Sequence, residues 1–168
     1  MENSILDVFR TSCFWAPFLA WMAAQFIKMI FAFKDTSRFN FRYFVSTGGM
    51  PSAHSSMVSA LATAVGIQEG FGSSMFVFTL AFAIVVMLDA STVRRAAGQQ
   101  ASLLNQIIKE LFHEHKFSEG KLVELLGHTR LEVFLGMVIG IFVALLVLAA
   151  GSFLQDNSFL PGVVIFPR

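Results

Sequence analysis

The sequence predicts an all-α protein: a polytopic membrane helix bundle of about four transmembrane helices, with one further amphipathic helix at the interface. Three observations predict it. Hydrophobic residues make up 55% of the chain and charged residues only 14%, against about 25% charged in an ordinary soluble domain. Apolar runs of about 20 residues, enough to cross the hydrocarbon core of a bilayer, recur along its length. Phe occurs 20 times and Tyr once, as expected where aromatic surface faces lipid rather than water. A single cysteine, Cys13, excludes an internal disulfide framework and thiolate metal clusters.

The first expected span runs from about Phe14 to Phe33 and includes Gln25 and Lys28. It lacks the short apolar core and small-residue cleavage site of a signal peptide, so it belongs to the mature chain. The second, Met50 to Gln68, is rich in Ser, Ala and Thr. Its Ser52, Ser55, Ser56, Ser59 and Thr63 recur at three- and four-residue spacing. Such small side chains allow close helix approach, which places this helix at the bundle centre. The third, Gly72 to Leu88, is almost wholly apolar, and the fourth runs from Val133 to Leu154. Between these last two lies a polar segment, 89–132, in which Val93 to Phe112 has apolar residues at near-helical spacing. It reads as an amphipathic helix along the membrane surface or across the bundle mouth. His113 to Gly120 looks like its end and a turn, and Lys121 to Leu126 starts another short helix. No repeat or low-complexity segment divides the chain, so one integral-membrane domain over 1–168 is expected.

Basic residues orient the bundle. Lys34, Arg38 and Arg42 lie between the first two spans, and Arg94, Arg95, Lys109, Lys116, Lys121 and Arg130 between the last two. The other side has only Arg10 and Arg168. This asymmetry predicts a multi-pass cell-membrane protein with both polar loops, and any site they hold, in the cytoplasm. The net charge of +1 gives no reason to expect a nucleic-acid partner.

The most informative stretch is Thr47-Gly48-Gly49-Met50-Pro51-Ser52-Ala53-His54. Two glycines can turn backbone N–H groups toward one point, and Pro51 fits the first turn of a helix. A helix N-terminus suits an anion such as phosphate. Ser52 could add a hydroxyl donor, and His54 can move protons near neutral pH. The bland alternative is a tightly packed small-residue turn with His54 as a satisfied polar group. Lys28, Arg42, Asp89, Arg94, Arg95, His128, Arg130 and Glu132 fall at the same end of their spans. Ionisable groups at membrane depth are costly and mark function by default. For Lys28 a plain interface anchor is the competing reading, and for His128–Glu132 a simple helix-start hydrogen bond. His113 and His115 read as a solvated loop.

These residues carry a family resemblance. The blocks Gln25 to Lys28, Ser46 to Ser55, Asp89-Ala90 with Val93 to Ala101, and Leu125 to Thr129 with Glu132-Val133 resemble the divergent type-2 phosphatidic acid phosphatase family. These are small membrane proteins related to acid phosphatases and vanadium haloperoxidases. Pro51-Ser52-Ala53-His54 is similar to the superfamily's Pro-Ser-Gly-His block, with Ala53 in place of Gly. Lys28 and Arg42 could supply the cations of the first block, although no Arg-Pro pair is present. Arg94 or Arg95 could supply the third block's arginine, but its nearby histidine is missing and His128 lies well downstream.

The resemblance implies hydrolysis of a phosphate monoester or diphosphate of a lipid, with no cofactor or metal. Lys28, Arg42, Arg94 and Arg95 would neutralise phosphate oxygens, with Ser52 and the Gly49 N–H completing an oxyanion site. His128 would attack phosphorus, Glu132 or Asp89 would hold its other ring nitrogen, and His54 would protonate the leaving alkoxide and then activate water. The two histidines could exchange roles. A lipid or small-solute transporter, a metal-dependent phosphatase built on Asp89, His128 and Glu132, and an inactive relative stay open. The partners implied are a phosphorylated lipid, membrane lipids and, as an open option, a second copy of the chain.

Overall fold

The computed structural model describes residues 5–36, 49–111 and 127–156. Among these residues every regular element is helical. A short 3₁₀ helix, Ile5–Arg10, leads into α1, Ser12–Thr36. Then follow α2 (Ala53–Glu69), α3 (Ser74–Ser91), α4 (Val93–Leu111) and α5 (Arg130–Asp156). The helices begin within about three residues of the expected spans. Among the described residues, three regions are long and apolar enough to cross a membrane: Ser12–Phe33, Ser74–Ile108 and Arg130–Leu154. The remaining expected span, α2, has 17 residues, about 26 Å at 1.5 Å per residue. It sits at the short end of spanning length.

Helix α2 is the centre of the bundle, packing against α1, α3 and α5. Its small side chains permit this, as their spacing suggested. Ser56 Oγ donates to the Ala20 carbonyl of α1 at 3.0 Å, and Ser59 Oγ donates to the Met137 carbonyl of α5 at 3.1 Å. Ala60 and Ala64 pack with Ala16 and Ala20 of α1 and Ala144 of α5. On another side, Val58 and Ala62 meet Ala83 of α3. Close approach of α5 depends on Gly136 and Gly140. A Cβ on either would collide with α2, at Ser52 O and Ser56 O respectively. The backbones therefore touch in the manner of a small-xxx-small membrane interface. No hydrophobic drive separates helix faces in lipid, so such contacts and interhelical hydrogen bonds supply the specificity.

At the end away from the polar segments, Gln68 ties α2 to the start of α1. Its Nε2 donates to Ser12 Oγ, and its Oε1 accepts from Cys13 Sγ at 2.8 Å. Helix α4 continues α3 past Thr92 and, among the described elements, contacts only α3. It is amphipathic, with Val93, Leu103, Leu104 and Ile107 exposed along one stripe, as a helix lying at the interface requires. The expected turn at His113–Gly120 and helix at Lys121–Leu126 lie outside the described residues.

Candidate functional site

Three helix ends and the Lys28 turn of α1 meet at one end of the bundle. Two backbone hydrogen bonds join them. Ser52 N–H, just before α2, donates to the Glu132 carbonyl in the first turn of α5 at 3.1 Å. His128 N–H, just before α5, donates to the Ala90 carbonyl at the end of α3 at 3.1 Å. Lys28 of α1 completes the group, its aliphatic stem lying against Gly49.

The start of α5 is built by a reciprocal cap. Thr129 Oγ1 accepts from Glu132 N–H at 3.3 Å, while Glu132 Oε2 accepts from Thr129 N–H at 3.2 Å. This is the Thr-x-x-Glu capping box, in which two otherwise orphaned donors satisfy each other's residues. The same Oε2 lies 2.9 Å from His128 Nδ1. Glu132 thus fixes a helix end and a histidine ring with one carboxylate. His128 is 3% exposed, so its ring is held in a largely dry site. With Nδ1 committed to Glu132, Nε2 is the nitrogen left for chemistry. Of the two carboxylates expected to orient His128, Glu132 performs the task.

Lys28 is 4% exposed, so it does not snorkel to the surface as a plain anchor would. Glu132 acts on it electrostatically. A buried ammonium needs such a partner, because an isolated one at membrane depth is costly. Glu132 thus holds the His128 ring directly and acts on Lys28 through its charge. Gly49 has φ +88°, a conformation that side chains rarely adopt. A Cβ there would also reach 3.7 Å from Lys28 Cγ. That distance is an ordinary contact, so it is the backbone conformation that calls for glycine.

Other expected members take different places. Pro51 does not occupy the first turn of α2. The helix begins at Ala53 with Ser52 as its N-cap, so Pro51 precedes the cap. Ser52 is 0% exposed, and its hydroxyl accepts from Ser55 N–H at 3.4 Å and from the Ser55 hydroxyl at 2.9 Å. Its own N–H is taken by the Glu132 carbonyl. Ser52 is thus the buried cap of α2, its hydroxyl oxygen accepting both bonds. His54, half-buried, stands in the first turn of α2, and Asp89, also half-buried, immediately precedes Ala90. Among the described residues, no three His, Cys, Asp or Glu side chains gather as a metal-binding group, so the Asp89–His128–Glu132 triad is not formed. Arg95 is exposed on α4. Arg94 falls in the first turn of α4 with its side chain outside the described part, and Arg42 lies outside the described residues altogether.

The sequence reading missed Thr129 and the two α5 glycines. Both had legible signals: Thr129-x-x-Glu132 is a capping box, and Gly136-x-x-x-Gly140 is a helix-packing motif.

Comparison with known proteins places this arrangement. No solved structure matches the chain. An uncharacterized membrane protein of Bacillus subtilis (strain 168), YuiD, is 38% identical over 133 residues, covering 73% of this chain and 84% of that protein. The model of the divergent PAP2 family matches residues 9–143, which takes in every helix end that meets at Lys28, Glu132 and His128. The chain belongs to the divergent PAP2 family of membrane proteins.

Proposed function

We propose that the protein is a membrane-embedded lipid phosphatase that hydrolyses a phosphate monoester or diphosphate of a lipid through a histidine nucleophile. The observation that carries the reading is the buried His128, its Nδ1 held by Glu132 at 2.9 Å with Lys28 close enough to interact with the same carboxylate. That arrangement leaves Nε2 of His128 for attack on phosphorus, with the Lys28 cation, on which the same carboxylate acts, suited to a phosphoryl oxygen. Family membership supports the same chemistry.

In the proposed reaction the Nε2 lone pair attacks phosphorus, and the bond from phosphorus to the lipid oxygen breaks. Protonated His54 gives its proton to that departing alkoxide. Neutral His54 then takes a proton from water, whose oxygen attacks phosphorus. The P–N bond breaks, releasing phosphate and restoring Nε2. Glu132 stabilises the imidazolium-like character that His128 gains in the first step. Lys28, with Arg42, Arg94 and Arg95 from the adjoining polar segments, neutralises the phosphoryl oxygens. Those segments are assigned to the cytoplasmic side by the excess of Lys and Arg they carry.

The test is phosphate release by purified protein from a panel of lipid phosphates in mixed micelles. The reading expects turnover by the wild type and a loss of roughly a hundredfold or more in His128→Ala. Wild-type protein that binds the lipids but releases no phosphate, or His128→Ala with unchanged turnover, would refute it.

A further inference from the structure

Helix α2 is covered unevenly. Its α5 side carries Ser55 and Ser59, its α1 side Ala60 and Ala64, and its α3 side Val58 and Ala62. A helix advances about 100° per residue, so His54, Met57 and Leu61 form a strip opposite the α5 side, between α1 and α3. Among the described elements α1 and α3 make no contact with each other. The strip is correspondingly open: Met57 is 40% exposed on the helix that otherwise holds the bundle centre, and Leu61 is half-buried. At the far end of the strip Gln68 joins α2 to Ser12 and Cys13 of α1. At its near end stands His54.

Resting on the phosphatase reading above, we propose that this groove receives one acyl chain of the phosphorylated lipid, which enters sideways from the bilayer while its phosphate reaches the His128 end. The occupant is fixed by two features. The floor of the groove is two flexible apolar side chains, Met57 and Leu61, which can settle around a hydrocarbon chain and offer nothing to a polar ligand. The strip is also continuous with His54, so a chain lying in it points its headgroup at the polar cluster. A lipid whose phosphate is held there and whose chain is held in the groove differs from ordinary boundary lipid, because the two contacts are linked.

Photolabelling tests this independently of turnover. The probe is phosphatidic acid bearing a diazirine midway along one acyl chain, in phosphatidylcholine nanodiscs. Labelling is expected on the peptide containing Met57 and Leu61, displaced by unlabelled phosphatidic acid but not by added phosphatidylcholine. Leu61→Trp fills the groove and should cut this labelling roughly tenfold. Met57→Trp, at a position exposed enough to admit a ring without disturbing the core, should do the same. Labelling confined to outward residues of α3 such as Phe78 and Phe82, labelling that phosphatidic acid does not displace, or a Met57 cross-link to a second copy of the chain would each overturn the groove assignment. Competed labelling in a protein that releases no phosphate would leave the groove standing and remove the hydrolytic reading. Phosphate release without competed labelling on α2 would do the reverse.

Discussion

Replacing Gly140 by alanine probes the contact on which the site's geometry depends. The added Cβ would lie 2.9 Å from the Ser56 carbonyl carbon and run into Ser56 O and Ser59 Oγ. Ordinary carbon–carbon contacts are about 3.5–4.0 Å, so α5 must withdraw from α2 by about 1 Å. The obstacle is helix backbone, which cannot rotate aside as a side chain can. Overpacking of this kind costs about 1–3 kcal/mol. The same withdrawal stretches the 3.1 Å bond from Ser59 to Met137 beyond hydrogen-bonding range, and such interhelical bonds average about 0.6 kcal/mol in membranes. Ser59 keeps its 3.2 Å bond to Ser56 O, which keeps the second contribution small. The expected destabilisation is about 2–3 kcal/mol, dominated by the steric cost. Reversible unfolding in mixed micelles measures it. Gly72→Ala is the control, because a Cβ there meets nothing within 4 Å, and it should stay within about 0.5 kcal/mol of wild type. If Gly140→Ala matched that control, the backbone contact between α2 and α5 would be wrong. Displacement of α5 should also lower phosphate release, since α5 carries Glu132 and is preceded by His128.

Substitutions at the site itself separate structure from chemistry. Glu132→Gln retains a side chain able to complete the capping box but removes the carboxylate that acts on buried Lys28, so stability should fall by about 3 kcal/mol while turnover falls by roughly a hundredfold. Glu132→Ala should in addition lose about 1 kcal/mol of stability with the cap. Equal turnover in Glu132→Gln and wild type would show that the carboxylate serves the helix alone. Lys28→Met should weaken binding of orthovanadate, a phosphate mimic, by at least roughly tenfold, since a buried charge-assisted contact is worth about 1.5–3 kcal/mol. Unchanged vanadate affinity would remove Lys28 from the phosphate site. For sidedness, Ser118→Cys in a Cys13→Ser background should react with an impermeant maleimide only from the cytoplasmic face. Reaction from the opposite face would invert the assigned orientation.

Much of the fold was legible because membrane solvent imposes a simple rule. Apolar length marked α1, α3 and α5, and small-residue spacing placed α2 at the centre. The boundary of α2 was harder. Pro51 suggested a helix already begun, whereas Ser52 is the better cap and its bonds to Ser55 set the start at Ala53. For the site, the gathering of Lys28, Gly49, Glu132 and His128 followed from their shared position at span ends. Which atoms would be consumed by structure did not follow from position. Ser52 shows this: its place before the helix could be read, but not that its backbone N–H would go to the Glu132 carbonyl of α5 while its hydroxyl oxygen accepted from Ser55. Lys28 was ambiguous for another reason: a long flexible stem can reach the surface or stay inside, and here it stays inside at 4% exposure.

The central claim is that His128, rather than His54, forms the bond to phosphorus. The most direct measurement is a single-turnover reaction with a lipid carrying ³²P in its terminal phosphate, quenched in alkali to preserve phosphohistidine and followed by peptide mapping. The account predicts label on the peptide containing His128, with its accumulation increased in His54→Ala because the water that discharges it is no longer activated. Label on the His54 peptide, or full turnover with no protein-bound phosphate at any time, would contradict it.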